Sequence, residues 1–183
     1  QLPHPLMRAP ARVQAAIEIL DSVIAAARDG GAAADTLVRR YFATRRYAGA
    51  GDRSAVRELV FEAIRFAGEP PPSGRAAVLG MLEAVRPEDL ALFDGSAHAP
   101  APPVPGEPVA RPAPAPDWLL PRLDASLGAG LSAELAALCQ RAPLDLRLNR
   151  LRGDDPLALA ALLPFATIAI EGLPVALDRK SVV

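Results

Sequence analysis

The sequence predicts a mainly helical protein in three parts. A helical bundle covers residues 10–94, a Pro/Ala-rich linker covers 95–116, and an α+β region of ferredoxin-like type, left incomplete, covers 117–183. Three observations carry this. Apolar residues recur at helical spacing through the first half of the chain. Nine of the 23 residues from Ala99 to Pro121 are Pro, too many for a helix or a central strand. After Leu144 the pattern changes from helical spacing to strict alternation.

In the first part, Val13, Ile17, Leu20 and Ile24 fall at i, i+4, i+7 and i+11, an amphipathic helix of about four turns that Gly30-Gly31 ends. A short helix over Asp35–Thr44 follows, with Leu37, Val38 and Tyr41 on one face. Gly49-Ala50-Gly51 breaks the chain, and Asp52 is placed to cap a third helix carrying Val56, Leu59, Val60, Ala63 and Ile64. Pro70-Pro71-Pro72 stops it. Two shorter helices are predicted over 75–85, with Val78, Leu79, Leu82 and Val85 inward, and over 87–93, with Pro87 in the first turn.

The Pro-rich stretch reads as an extended, polyproline-like spacer without a core, in preference to a ligand for a proline-recognition domain. Beyond it, Trp118-Leu119-Leu120 opens a helix to about Ser126, and a second runs from a Ser132 cap to about Arg141 with Leu135 and Leu138 inward. Leu144–Asn149 alternates apolar and polar, the pattern of a half-buried strand. Asp155-Pro156 starts a helix that ends before Pro164, and Phe165–Ile170 and Leu173–Leu177 read as strands about a Glu171-Gly172 turn. The order β-α-β-β is that of a ferredoxin-like sheet lacking its last helix and strand. The chain also opens on Gln1 and stops at Ser181-Val182-Val183 with no terminating feature, so a fragment of a longer protein is expected.

Composition narrows the function. Apolar residues make up 51% and charged residues 22% of the 183, a globular balance rather than that of a disordered chain. A lone cysteine, Cys139, rules out a disulfide framework, and with only His4 and His98 beside it no zinc site closes. That thiol usage suits the cytoplasm. The longest apolar run, Leu157–Ile170, is interrupted by Pro164 and falls short of the ~18–20 residues of a membrane span, so no membrane partner is expected. All 20 basic residues except Lys180 are Arg, which together with abundant Ala and Pro reflects GC-rich codons more than chemistry.

Net charge is -1, so any nucleic-acid surface must be a local patch. The strongest candidate is Arg39–Arg57. There Arg39, Arg40, Arg45, Arg46, Arg53 and Arg57 stand against Asp52 alone, a local charge of +5, with Tyr41, Phe42 and Tyr47 interleaved. Arginine forks bind phosphate and aromatic rings stack on unpaired bases, a combination suited to RNA. The competing reading is that Arg40, Arg53 and Arg57 solvate helix faces while Tyr41 and Phe42 fill core. A smaller patch gathers Arg147, Arg150 and Arg152 around Asn149. Gly128-Ala129-Gly130 follows a helix rather than a strand and lacks a third glycine, which argues against a dinucleotide loop. Cys139 lies mid-helix, where a buried structural thiol is the usual state. No catalytic, cofactor-binding or metal-ligating residue is assigned.

Four blocks carry a family resemblance: Ala11–Leu20; Arg45–Gly49 leading to Asp52–Phe61; Ala115–Leu120; and Arg141–Asn149. In order and spacing they resemble the N-terminal half of the Sun/Fmu (RsmB-like) RNA cytosine-5 methyltransferases, over most of residues 11–152. The resemblance implies a NusB-like helical RNA-binding domain followed by a small α+β region that precedes the catalytic domain. It also implies S-adenosylmethionine as methyl donor for the full-length family and ribosomal RNA as the partner. The glycine-rich cofactor loop, the ribose-holding acid and both catalytic cysteine motifs of the family are absent from these residues, and Cys139 inherits no role. The expectation is therefore the RNA-binding front of such an enzyme, contacting RNA through Arg39, Arg40, Arg45, Arg46, Tyr47, Arg53 and Arg57 and through Arg147 and Asn149. The alternatives are a free-standing NusB-like module in transcription or a truncated product without function.

Overall fold

The computed structural model describes residues 7–140 and, beyond them, 144–146, 166–170 and 173–176. These fall into two compact units that divide between Cys139 and Gln140. The first is helical: α1 (Ala9–Asp29), α2 (Ala34–Ala43), α3 (Ala50–Phe66), α4 (Gly74–Val85), a 3-10 turn over Pro87–Leu92, then α5 (Leu120–Leu127) and α6 (Leu131–Cys139). The predicted helices α1 to α4 are thus all present, and the segment predicted as a helix over 87–93 takes the tighter 3-10 form.

The first helix organises the unit. It packs against α2, α3 and α4 at once. Apolar side chains therefore leave the water on more than one side, and Val13, Ala15, Ala16, Ile17, Ile19, Leu20 and Ile24 are all buried. Gly30 ends the helix in the left-handed region at φ 65°, a conformation that costs glycine nothing. Into this seam α3 sends Val56, Val60 and Ala63, spaced four and three residues apart on one face. From α2 come Val38 and Phe42, one turn apart.

The fourth helix is apolar on every side, with Ala76 through Leu82 all buried. A helix of that composition must be covered all round. Its N-terminus is pinned to α1, where the Gly74 amide donates to Asp21 Oδ1 at 2.6 Å and the Ser73 hydroxyl caps the Ala76 amide. Its far side is covered by the Pro-rich stretch. The Ala110 amide donates to Ala76 O and the Ala113 amide to Phe66 O, and Ala67 bridges Pro112. Ala110 and Ala115 are buried. Arg75 fastens the strap: it ion-pairs with Glu107, donates to the carbonyls of Ala101 and Pro102, and lies over the Phe93 ring at 5.0 Å. Residues 95–116 are therefore extended, as their prolines require, but they are no free spacer. They supply one wall of the bundle core.

Other differences are local. The third helix begins at Ala50 rather than Asp52, with Gly49 as its N-cap; Asp52 sits in the first turn and accepts the Gly49 amide at 3.2 Å. Ser132 lies inside α6, because a 3-10 turn over Gly128–Gly130 feeds directly into that helix at Leu131. Leu135 is buried as expected, but Leu138 is 68% exposed and Val85 is 52% exposed. Spacing identifies a row of side chains, and whether a neighbour covers the end of that row is a tertiary matter. Cys139 is half-buried, its thiol 3.6 Å from Pro114 O.

The second unit is a three-stranded sheet in the order β1 (Leu144–Leu146), β2 (Ala166–Ile170), β3 (Leu173–Ala176). The first pair is parallel, with Leu144 opposite Ala166. The second is antiparallel, with Ile170 opposite Leu173. A parallel pair needs a crossover connection, for which residues 147–165 supply the length. The helix predicted from Asp155-Pro156 lies in that connection, outside the described residues, as do the ends of the strands predicted to Asn149 and Leu177.

Candidate nucleic-acid interface

The arginine-rich segment spans the end of α2, a connector over residues 44–49, and the start of α3. Its helical phasing is set by the core. With Val38 and Phe42 turned inward on α2, Arg39, Arg40 and Ala43 are left in solvent. With Asp52, Val56 and Val60 turned inward on α3, the next row outward is Arg53 and Arg57, one turn apart. The two helices thereby leave an open groove of about 360 Å³. Val38, Phe42 and Ala43 form its apolar side; Arg39, Arg53, Arg57 and Ser54 supply the polar groups, and no carboxylate lines it.

The guanidinium groups are held in different ways. Arg53 donates Nε–H to Ala48 O at 2.9 Å and lies over the Phe42 ring at 5.8 Å. Arg57 lies over Phe61 at 5.5 Å. Such contacts to a ring face fix the side chain while leaving outer N–H donors available. Arg39 is 3.7 Å from Asp35 and bonds the Thr36 hydroxyl, both in exposed positions where the pairing is weak. Arg40 and Arg46 are exposed and have no ion-pair or hydrogen-bond partner among the described residues. Beside Arg46, at the tip of the connector, Tyr47 is 53% exposed.

Arg45 behaves otherwise. Its guanidinium stacks 3.6 Å above the Tyr41 ring, donates to Tyr41 O and stands 3.6 Å from Glu18 Oε2 on α1. The Tyr41 hydroxyl donates to that same carboxylate oxygen at 2.7 Å. Partial burial, then the Glu18 contact, raise the Tyr41 pKa above its ordinary value. Arg45 is thus a clasp that holds the connector against α1, with its charge largely answered by Glu18.

Asp52 does not answer the patch at all. It is fully buried, with Arg12 Nη2 2.8 Å from Oδ1 and the amides of Met7 and Gly49 donating to Oδ2. Burial pushes its pKa up, but the Met7 amide, Arg12 and the Gly49 amide outweigh it and hold the carboxyl below the usual range. Asp35 pairs with Arg39 and Glu18 with Arg45. Glu18 stands 23 residues from Tyr41, beyond the reach of any local pattern. Of the three aromatic residues in the arginine-rich segment, Phe42 is core, Tyr41 is structural, and Tyr47 is open to solvent.

The second predicted patch, Arg147 and Asn149 with Arg150 and Arg152, lies outside the described residues. Gly128-Ala129-Gly130 forms the turn between α5 and α6, a helix-to-helix junction that does not fit a cofactor phosphate loop. Among the described residues no group of three His, Cys, Asp or Glu could hold a metal ion, and no helix is long and apolar enough to cross a membrane.

No family model, curated protein or solved structure matches the chain.

Proposed function

We propose that this chain is the RNA-binding portion of an S-adenosylmethionine-dependent ribosomal RNA (cytosine-5) methyltransferase of the Sun/Fmu kind it resembles, acting in the cytoplasm. In this reading the first unit is a NusB-like domain, and the sheet is the start of a ferredoxin-like region ahead of a catalytic domain. One observation carries the RNA-binding part: three arginines from two helices converge on a groove lined by no carboxylate, with Arg40, Arg46 and Tyr47 exposed on the same segment. Phosphate contacts of this kind give affinity that falls with salt.

The test removes charges that hold nothing else. Replacing Arg40 and Arg46 together with Ala leaves every described contact intact. It should weaken binding of single-stranded ribosomal RNA and reduce the slope of log affinity against log salt by about 1.4, at about 0.7 for each phosphate no longer neutralised. An unchanged slope would remove this surface from the RNA interface. A free-standing NusB-like module in transcription remains the second reading. It is favoured by the first unit having a core of its own, and it predicts that residues 1–139 bind RNA as tightly as the whole chain.

A further inference from the structure

We infer that the hairpin of α5 and α6 is a docking surface for a protein partner that presents a basic amphipathic helix, an apolar row edged by Lys or Arg. It uses no residue of the arginine segment and stands independently of the RNA-binding reading.

Composition sets the need for a partner. Apart from Ser132, Glu134 and the Cys139 thiol, every side chain of α6 is apolar. A helix apolar on nearly every side is ordinarily covered, as α4 is. In α6 only Leu135 is buried. At about 100° per residue, Ala133, Ala136 and Ala137 fall on the side away from Leu135. All three are exposed, and Leu138 near them is 68% exposed. Trp118, just ahead of α5, is 65% exposed. One exposed Leu needs no explanation, but an open Trp beside an uncovered apolar helix marks an interaction surface.

Charge selects the partner. Arg122, its guanidinium 5.8 Å from the centre of the Trp118 ring, is the one cation from Asp117 to Cys139. Against it stand Asp117, Asp124 and Glu134, all exposed and without an ion pair among the described residues. The Asp117 amide donates to Glu69 Oε1 at 2.8 Å, which brings a fourth carboxylate to the start of α5. This excess of acids repels RNA phosphates and anionic lipid. It also opposes a second copy docked by the same face, because like charges would meet across the contact. A helix edged by Lys or Arg answers the carboxylates while its apolar row covers the alanines and Leu138. Trp and Arg are the side chains that most often anchor such contacts, and here they stand together.

Trp118 is the only Trp of the chain, so its fluorescence reports on this surface alone. The probe is a synthetic Trp-free helix with Leu at i, i+3, i+4 and i+7 and Arg along the edges; a counter-peptide carries Glu in place of Arg. The full chain by itself should emit as a water-exposed indole. The Arg peptide should move the emission to shorter wavelength, with half-saturation at a concentration about tenfold below that of the Glu peptide. Leu138→Glu should raise that half-saturation about tenfold. Asp124→Lys together with Glu134→Lys should reverse the preference between the peptides. All three residues are exposed, so the fold does not depend on them.

Emission typical of a buried indole in the chain alone would mean that the chain covers this face itself, and overturns the proposal. A shift that grows with protein concentration, with a dimer seen by light scattering, makes a second copy the occupant and overturns it too. So does an Arg peptide that leaves the emission unchanged or acts no more strongly than the Glu peptide.

Discussion

At the scale of single residues, Asp52 concentrates the largest stake. One carboxylate receives Arg12 from α1, the amide of Met7 ahead of α1, and the amide that precedes α3. Its side chain is 1% exposed, while that of Arg12 is 29% exposed. Removing one partner of such a pair leaves the other groups unanswered, at about 3–5 kcal/mol for a fully buried pair. Arg12 can recover some hydration, so Asp52→Ala is expected near the lower end, about 3 kcal/mol by urea denaturation. Asp52→Asn keeps the shape and one acceptor and should lose about half as much. Glu18 works differently, because its two partners, Tyr41 and Arg45, sit at the surface and are screened by water.

Among elements, the contact between α4 and the Pro-rich strap is the tightest. A Cβ built on Gly80 would come within 2.1 Å of the Ala110 carbonyl oxygen, a backbone atom that cannot step aside. Gly80→Ala gains about 1 kcal/mol of helix propensity, but displacing the strap costs about 1–3 kcal/mol and breaks the hydrogen bond that the Ala110 amide donates to Ala76 O as well. The net expectation is destabilisation by about 1–2 kcal/mol. Gly51, in the first turn of α3 with open space around its Cβ direction, makes the control. There the same substitution should stabilise by about 0.4–1 kcal/mol. Thermal unfolding of the two variants should therefore move in opposite directions. Hydrogen exchange offers a second view: the amides of Ala110 and Ala113 should be protected nearly as well as those of α4, where a loose spacer would exchange freely.

For the whole molecule, several ionisable groups set the pH range of stability. Asp52, Asp94 and Glu107 all have folded pKa values below their ordinary ones. For Glu107 the Arg75 guanidinium is the main cause, and for Asp94 the hydroxyl and amide of Ser96. A carboxylate with a depressed folded value contributes stability that is fully present above its unfolded pKa, near 4, and is lost as pH falls through the folded value. Tyr41 acts at the other end. Its raised value contributes stability that is present below about pH 10 and lost as pH rises above it. Urea midpoints should thus be flat near neutrality and fall below about pH 4 and above about pH 10. In Asp52→Asn the acid fall should be shallower.

The sequence by itself determined the helices. Val13, Ile17, Leu20 and Ile24, and likewise Val56, Val60 and Ala63, repeat with the helical period, and periodicity is a local property that backbone geometry imposes on any chain. It also placed the arginines of the candidate site on the outside, because they alternate with residues that must be buried. Tertiary structure alone decided what answers each charge and what covers each apolar face. Arg12 reaches Asp52 across 40 residues and Glu18 reaches Tyr41 across 23, and the strap meets α4 through Glu107 and Ala110, 32 and 30 residues beyond Arg75 and Gly80. Ion pairs and close contacts depend on distance in space, which no local pattern encodes. For the same reason Leu138 and Val85 keep the right spacing yet stand in water, while the Pro-rich stretch, extended by composition, became a wall of the core.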